Sequence, residues 1–238
     1  MQLRKLNPSS SSKDWDKKWA DIFWNYQHDL RHAYYIHAIL NPKERHLLEI
    51  GAGSFRDMAE LRRRGIFCEG IDFSQKSVDL AQQQFHEFLS AIHCMSAFNM
   101  QFAHKTFDVS YHNGFWALFQ DPQIRLLATE QARVTRHRMI ATVHNAHNKE
   151  FVAYFDRLKI NDPLYDIRFF EMNEMYALME SVCKDIAIIP VGKGKQYHED
   201  HLIKNGIHDP RTLHTCLTES GLKYLETSER LMCIGTIR

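Results

Sequence analysis

Short apolar runs alternate with helical stretches between His46 and Val143, and this alternation restricts the fold more than any other feature of the chain. HLLEI (46–50), IFCEGI (66–71), Ile92 to Met95, FDVSYH (107–112) and MIATV (139–143) read as strands; Ser54 to Arg64, Ser74 to Leu89 and Asp121 to Arg136 read as helices. Such a series predicts a parallel sheet with right-handed crossovers and helices on both faces. Beyond His144 the rhythm loosens into helices at Lys149 to Lys159, Glu171 to Ser181 and Pro210 to Glu219. Strands are expected at Asp185 to Val191, interrupted by Pro190, and at Arg230 to Ile237. A length of 238 residues suits one α/β domain with an appendage.

That appendage is residues 1–40. A polar leader runs through the serines Ser9 to Ser12, and from Trp15 to Leu40 apolar positions recur at three- and four-residue intervals. This predicts two cap helices ending before Asn41-Pro42. The domain proper then spans 41–238, with a polar, glycine-bearing insert near 192–209 expected to form a loop or lid. Thirty Lys and Arg against 29 Asp and Glu leave a formal charge of +1, which lacks the broad positive field that nucleic acid or anionic lipid attracts. Neither a nucleic acid nor a membrane is therefore expected as partner. No apolar run approaches the roughly 20 residues of a membrane span, and no secretory apolar region follows Met1, so the cytoplasm is the expected compartment. Five cysteines without a C-x-x-C spacing suggest neither a disulfide framework nor a zinc ribbon. Nothing in the sequence sets the oligomeric state.

Open parallel sheets bind ligands at the carboxyl ends of their strands, so the informative residues stand just after strands. After the first comes Glu49-Ile50-Gly51-Ala52-Gly53-Ser54-Phe55, opening a helix. Gly51 and Gly53 let the backbone turn sharply and approach a ligand, and the helix start offers unpaired N–H groups. A dinucleotide fingerprint G-x-G-x-x-G would need glycine at 56, where Arg56 stands, which weakens a nicotinamide reading. After the second strand comes Asp72, placed where an acceptor could hold both hydroxyls of a ribose. The plainer role for Asp72 is a favourable charge at the start of the helix following Ser74.

Taken in order, LLEIGAGS (47–54), GIDFS (70–74), FDVSYHNGFW (107–116) and a fifth strand followed by Val143-His144-Asn145 resemble the class I S-adenosylmethionine-dependent methyltransferases, particularly the small-molecule type. The resemblance covers residues 44–145. It implies an α/β fold: a Rossmann-like, doubly wound seven-stranded sheet, mostly parallel with an antiparallel last strand, helices on both faces and an N-terminal helical lid. It also implies S-adenosyl-L-methionine as cofactor. Gly51 and Gly53, with Glu49 and Ala52 in the same loop, would line the methionine part, Asp72 would hold the ribose, and Phe73 would flank adenine. The adenine amino group would meet Ser96, with Ala97 and Phe98 beside it; His112 and Asn113 would stand near the transfer point, and Arg31 or Arg56 would pair with the cofactor carboxylate. Two positions depart from the family pattern. Ser96 replaces the usual acidic adenine ligand, and Phe55 stands where many relatives carry a third glycine, which would narrow the loop.

Methyl transfer from a sulfonium is an in-line displacement that needs orientation more than a protein nucleophile. A hydroxyl acceptor benefits from a base titrating near neutrality, which nominates His147 first, then His144 and His112. Trp19, Tyr26, Phe115 and Trp116 are the candidate walls of a small-molecule acceptor pocket. The pairs His144/His147 and His198/His201 could form metal faces, but without a third convergent ligand no metal is expected. The reading is an enzyme methylating oxygen or nitrogen of a small molecule. A non-catalytic cofactor-binding scaffold of the same fold is the alternative, and a protein methyltransferase a lesser one.

Overall fold

Leu47, Leu48 and Ile50 are buried on both sides of the backbone, as a strand at the middle of a sheet covered on two faces requires. This strand, β1 (His46–Ile50), lies at the centre of a computed structural model that describes residues 11–192, 203–206 and 209–238. The other strands are β2 (Phe67–Asp72), β3 (Ile92–Cys94), β4 (Phe107–Asn113), β5 (Thr135–His144), β6 (Cys183–Val191) and β7 (Arg230–Ile237). They form one seven-stranded sheet in the order β3-β2-β1-β4-β5-β7-β6. All neighbours pair in parallel except β7, which runs antiparallel to both β5 and β6. The order reverses between β1 and β4, and the ends of these two strands frame the ligand crevice expected of an open sheet.

The helices are α1 (Ser12–Ile22), α2 (Arg31–Ile39), α3 (Arg56–Arg63), α4 (Gln75–Gln84), α5 (Asp121–Val134), α6 (Lys149–Leu158), α7 (Met172–Met179) and α8 (Pro210–Glu219). Side chains alternate across the sheet. Leu47, Val109, Tyr111 and Ile140 join the buried residues of α2, α3, α4 and α8 on one face, while Leu48, Ile50, Phe107, Met139 and Val143 join those of α5 and α7 on the other. Among the described residues, no helix is long and apolar enough to cross a membrane.

Several boundaries differ from those the sequence suggests, each for a local reason. α3 begins two residues late because Phe55 adopts a left-handed backbone, φ 54°. Its ring turns into the core against Gly70, where an added Cβ would sit 2.8 Å from Phe55 Cδ1. Phe55 therefore does not narrow the glycine loop; a glycine in the neighbouring strand makes its room. α5 stops at Val134 and β5 starts at once, because Thr135 pairs with Phe107 of β4 and its hydroxyl donates to the Gln131 carbonyl at 2.6 Å. Pro190 does not interrupt β6, which lies at the sheet edge, where a missing N–H costs no ladder bond on the open side.

The two cap helices behave differently. α2 buries seven residues and is part of the main core, and its His32 links Asp57 of α3 at 2.7 Å to Thr142 of β5 at 2.9 Å. α1 buries none. Its first turn is closed by a capping box between Ser11 and Asp14. Its Asp16 accepts from the Ser74 hydroxyl at 2.6 Å and from the Lys76 N–H at 3.1 Å, so it is pinned to the start of α4. The expected insert near 192–209 lies mostly outside the described residues.

Candidate active site

The loop between β1 and α3 is shaped by its two glycines. Gly51 and Gly53 have φ of 63° and 56°, in the left-handed region that glycine enters without a steric cost. A Cβ on Gly51 would lie 2.6 Å from the Phe115 ring, and one on Gly53 would lie 2.2 Å from the Trp19 ring, so aromatic side chains lie directly on the bare backbone. Asp72, at the end of β2, fastens this loop from beneath: one carboxylate oxygen accepts from Gly53 N–H at 2.8 Å and the other from Ser74 N–H at 2.9 Å. Ser77 of α4 donates its hydroxyl to the Gly53 carbonyl. Burial pushes the Asp72 carboxyl up to about 6, against the lowering effect of those backbone donors. No cation pairs with it among the described residues, and each oxygen keeps a lone pair.

Two cavities meet at this loop, sharing Gly51, Asp72, Phe73, Phe115, Leu118 and Trp15. The first continues over Met95, Ser96, Ala97 and Phe98 to Phe119, Gln120 and Gln123. It is an apolar slot with a carboxylate at one side, the shape and polarity of a nucleoside site. The second opens toward the ends of β4, β5 and β7, where Asn113, Gly114, His144 and Arg230 meet Lys18, Trp19 and Tyr26 from the N-terminal segment. Phe155, Tyr165 and Ile167 close its far side.

Of the three candidate bases only His144 reaches a cavity. Its ring lies among Phe151, Phe155 and Phe169 at centroid distances of 6.1, 5.5 and 5.4 Å. Burial, and then the nearby Arg230, hold its imidazole well below the ordinary histidine range. His112 is fully buried, and both of its ring nitrogens lack a partner. Burial and His32 bring it down to about 3, and it contacts Trp116 at 4.9 Å rather than either cavity. A base must reach its substrate, so His112 is corrected to a core residue. His147, the first choice from sequence, is corrected as well. Its Nε2 accepts from the Met172 N–H at 3.3 Å and caps α7.

Residues 48–142 match the family model described as a methyltransferase domain. Those residues carry a methyltransferase domain, as the resemblance to the class I S-adenosylmethionine-dependent enzymes implied. Solved structures share its fold. A SAM-dependent methyltransferase from Thermotoga maritima, described as a possible histamine N-methyltransferase, superposes with a TM-score of 0.63 at 14% identity, over 96% of this chain and 100% of that one. A SAM-dependent methyltransferase from Archaeoglobus fulgidus gives 0.63 at 13% identity, over 93% and 97%. Geranyl diphosphate C-methyltransferase from Streptomyces coelicolor, solved with S-adenosyl-L-homocysteine, gives 0.58 at 13%, over 100% and 88%. Among curated protein sequences no significant match is found. S-adenosylmethionine is the cofactor of this methyltransferase; the buried Asp72 carboxylate, with no cation beside it among the described residues, fits its ribose, and the Phe115 and Trp19 rings that cover Gly51 and Gly53 must turn aside to admit its methionine part.

The remaining sequence-nominated residues of the methyltransferase divide clearly. Ser96, Ala97 and Phe98 line the first cavity, Asn113, Trp19 and Tyr26 the second, and Phe73 and Phe115 both. Trp116 is fully buried in the core and is corrected from its place as an acceptor wall. Glu49 turns away from the cleft: its carboxylate accepts from the Met58 N–H at 2.9 Å, and burial with Asp57 beside it holds it well above the usual range. Ala52 donates its N–H to the Ile71 carbonyl, and Arg31 pairs with Asp29 at 2.9 Å, so neither points to the cofactor. Arg56 does line the second cavity. Sequence reasoning missed Arg230. An antiparallel last strand could have revealed Arg230, because it brings the first residue of β7 to the rim where β5 ends.

Proposed function

We propose that this methyltransferase transfers the methyl group to an oxygen or nitrogen of a small molecule held in the second cavity. The observation that carries this reading is the continuity of the two cavities across Gly51, Asp72 and Phe115, with one side suited to a nucleoside and the other walled by aromatic rings. When bound, the cofactor supplies an electrophilic methyl on a sulfonium. The protein orients the partners: Asp72 accepts from the ribose hydroxyls, Phe73 and Phe98 bracket the base, and Ser96 accepts from the adenine amino group. Gly51 and Gly53 admit the methionine chain, and Arg56 stands near its carboxylate. On the acceptor side Trp19, Tyr26 and Phe115 exclude water and fix a flat or apolar body. His144, neutral at pH 7, offers a hydrogen bond to the acceptor rather than acting as a strong base. Enclosure by α1 supports a small acceptor over a folded protein.

Calorimetry with S-adenosylhomocysteine, S-adenosylmethionine and NAD tests the cofactor half. Binding of the two adenosyl ligands and not NAD is expected, and NAD binding alone would overturn the reading. Methyl transfer to at least one hydroxyl or amine in a small-molecule panel tests the acceptor half, and transfer only to intact proteins would reject it.

A further inference from the structure

The second cavity contains a cation with no ion-pair partner among the described residues. Arg230, the first residue of β7, faces His144 across the antiparallel pairing at the end of β5. Its polar contact among the described residues is one long bond, Nη1 to the Glu229 carbonyl at 3.4 Å, and its guanidinium lies over the Phe151 ring, 5.4 Å from the centroid. No carboxylate comes within ion-pair distance of it among the described residues. The other cations of the cavity are committed. Lys18 is paired with Asp162 at 2.5 Å, and Arg56 donates to the Tyr26 carbonyl at 2.7 Å with Asp57 3.6 Å away.

We infer that the acceptor is an aromatic carboxylate, its carboxylate bound by the Arg230 guanidinium and its ring set among the aromatic walls. This rests on the methyltransferase reading above and adds the substrate class to it. The strand order places Arg230 toward the acceptor end: the backbones of β1 and β7 are three strand spacings apart, roughly 14 Å at about 4.8 Å per spacing, although the Arg230 and Arg56 side chains line the same cavity. Chemistry selects the anion. A planar fork of N–H donors matches a carboxylate in a bidentate pair. One uncommitted cation balances a monoanion, whereas a phosphate dianion would leave a surplus negative charge beside Asp72, which lines the same cavity. Burial, with Arg56 nearby, holds the Arg230 guanidinium down at about 10, while Glu229 and Asp29, beyond ion-pair distance, act in the opposite sense without offsetting it.

The test uses the full chain saturated with S-adenosylhomocysteine and titrated with benzoate, phenylacetate and 4-hydroxybenzoate, with their neutral amides, and with phenyl phosphate. At least one carboxylate is expected to bind tenfold or more tightly than its amide, and more tightly than phenyl phosphate. Arg230→Gln should abolish that preference while S-adenosylhomocysteine affinity stays within twofold, which also shows that the variant is folded. Arg230→Lys, which keeps the charge and loses the fork, should retain part of the preference. Equal binding of acids and amides, no binding of any acid, or preference for phenyl phosphate would overturn the inference. A tenfold loss of S-adenosylhomocysteine affinity in Arg230→Gln would move Arg230 to the cofactor and overturn it too. Failure of the wild-type chain to bind S-adenosylhomocysteine would instead overturn the methyltransferase reading on which the inference stands.

Discussion

The two halves of the cleft are built by different means. The cofactor half is local: a glycine loop, the helix it opens and one carboxylate from the adjacent strand, locked to each other by backbone hydrogen bonds within residues 49–77. The acceptor half gathers single side chains from α1, the ends of β4 and β5, the segment before α7 and the start of β7. Backbone geometry dictates the first half, and long-range topology assembles the second. Damage to the first should therefore abolish cofactor binding, while damage to the second should change only what is methylated.

The largest expected effect is at the junction. Asp72→Ala should weaken S-adenosylhomocysteine binding about 10- to 150-fold, from the loss of roughly 1.5–3 kcal/mol of charge-assisted hydrogen bonding; calorimetry that finds the affinity unchanged would erase the distinction between the halves. Next is Gly53→Ala. A side chain at φ 56° costs roughly 1–2 kcal/mol and displaces the Trp19 ring, so both the unfolding free energy and cofactor affinity should fall, as denaturant melts and titrations would read.

Acidity gives a third measure. The ionised Asp72 is the better acceptor for ribose hydroxyls and its carboxyl titrates at about 6, so affinity should be full at pH 7 and fall as pH drops through 6. The expected loss is about tenfold by pH 5. A flat profile would mean that the carboxylate does not contact the ribose. The smallest effect belongs to the residue that sequence favours as base. His147→Ala should lower stability by about 1 kcal/mol through the lost cap on Met172 and leave kcat within about twofold, so a hundredfold fall in steady-state rate would restore it to the chemistry.

The same contrast explains what the sequence could tell. The strands, the glycine loop and Asp72 were legible because hydrophobic period and motif spacing are short-range signals, and β1, α8 and β7 appear with the bounds that the pattern suggests. The histidines were not. His112, His144 and His147 all follow or end strands, yet the first lies in the core, the second in the cavity, and the turn after β5 carries the third back to cap a helix. Trp116 and its neighbour Phe115 show the same limit, since the short 3-10 turn Phe115–Leu118 sends one ring to the core and the other over Gly51. Arg230 is more than 80 residues beyond the last motif, and only strand order brings it to the site.

One attachment has a kinetic consequence. α1 lies across the entrance with its Trp19 ring on Gly53, yet it buries no residue, and Asp16 and Lys18 supply its polar anchors on α4 and on Asp162. Contacts of this kind contribute about 0.5–1.5 kcal/mol each, so the segment can detach without unfolding the sheet, on the microsecond-to-millisecond scale of such motions. With the Trp19 ring over Gly53, exchange of spent for fresh nucleoside is expected to need that displacement, and the dwell time of one surface helix would then bound how often the enzyme can turn over.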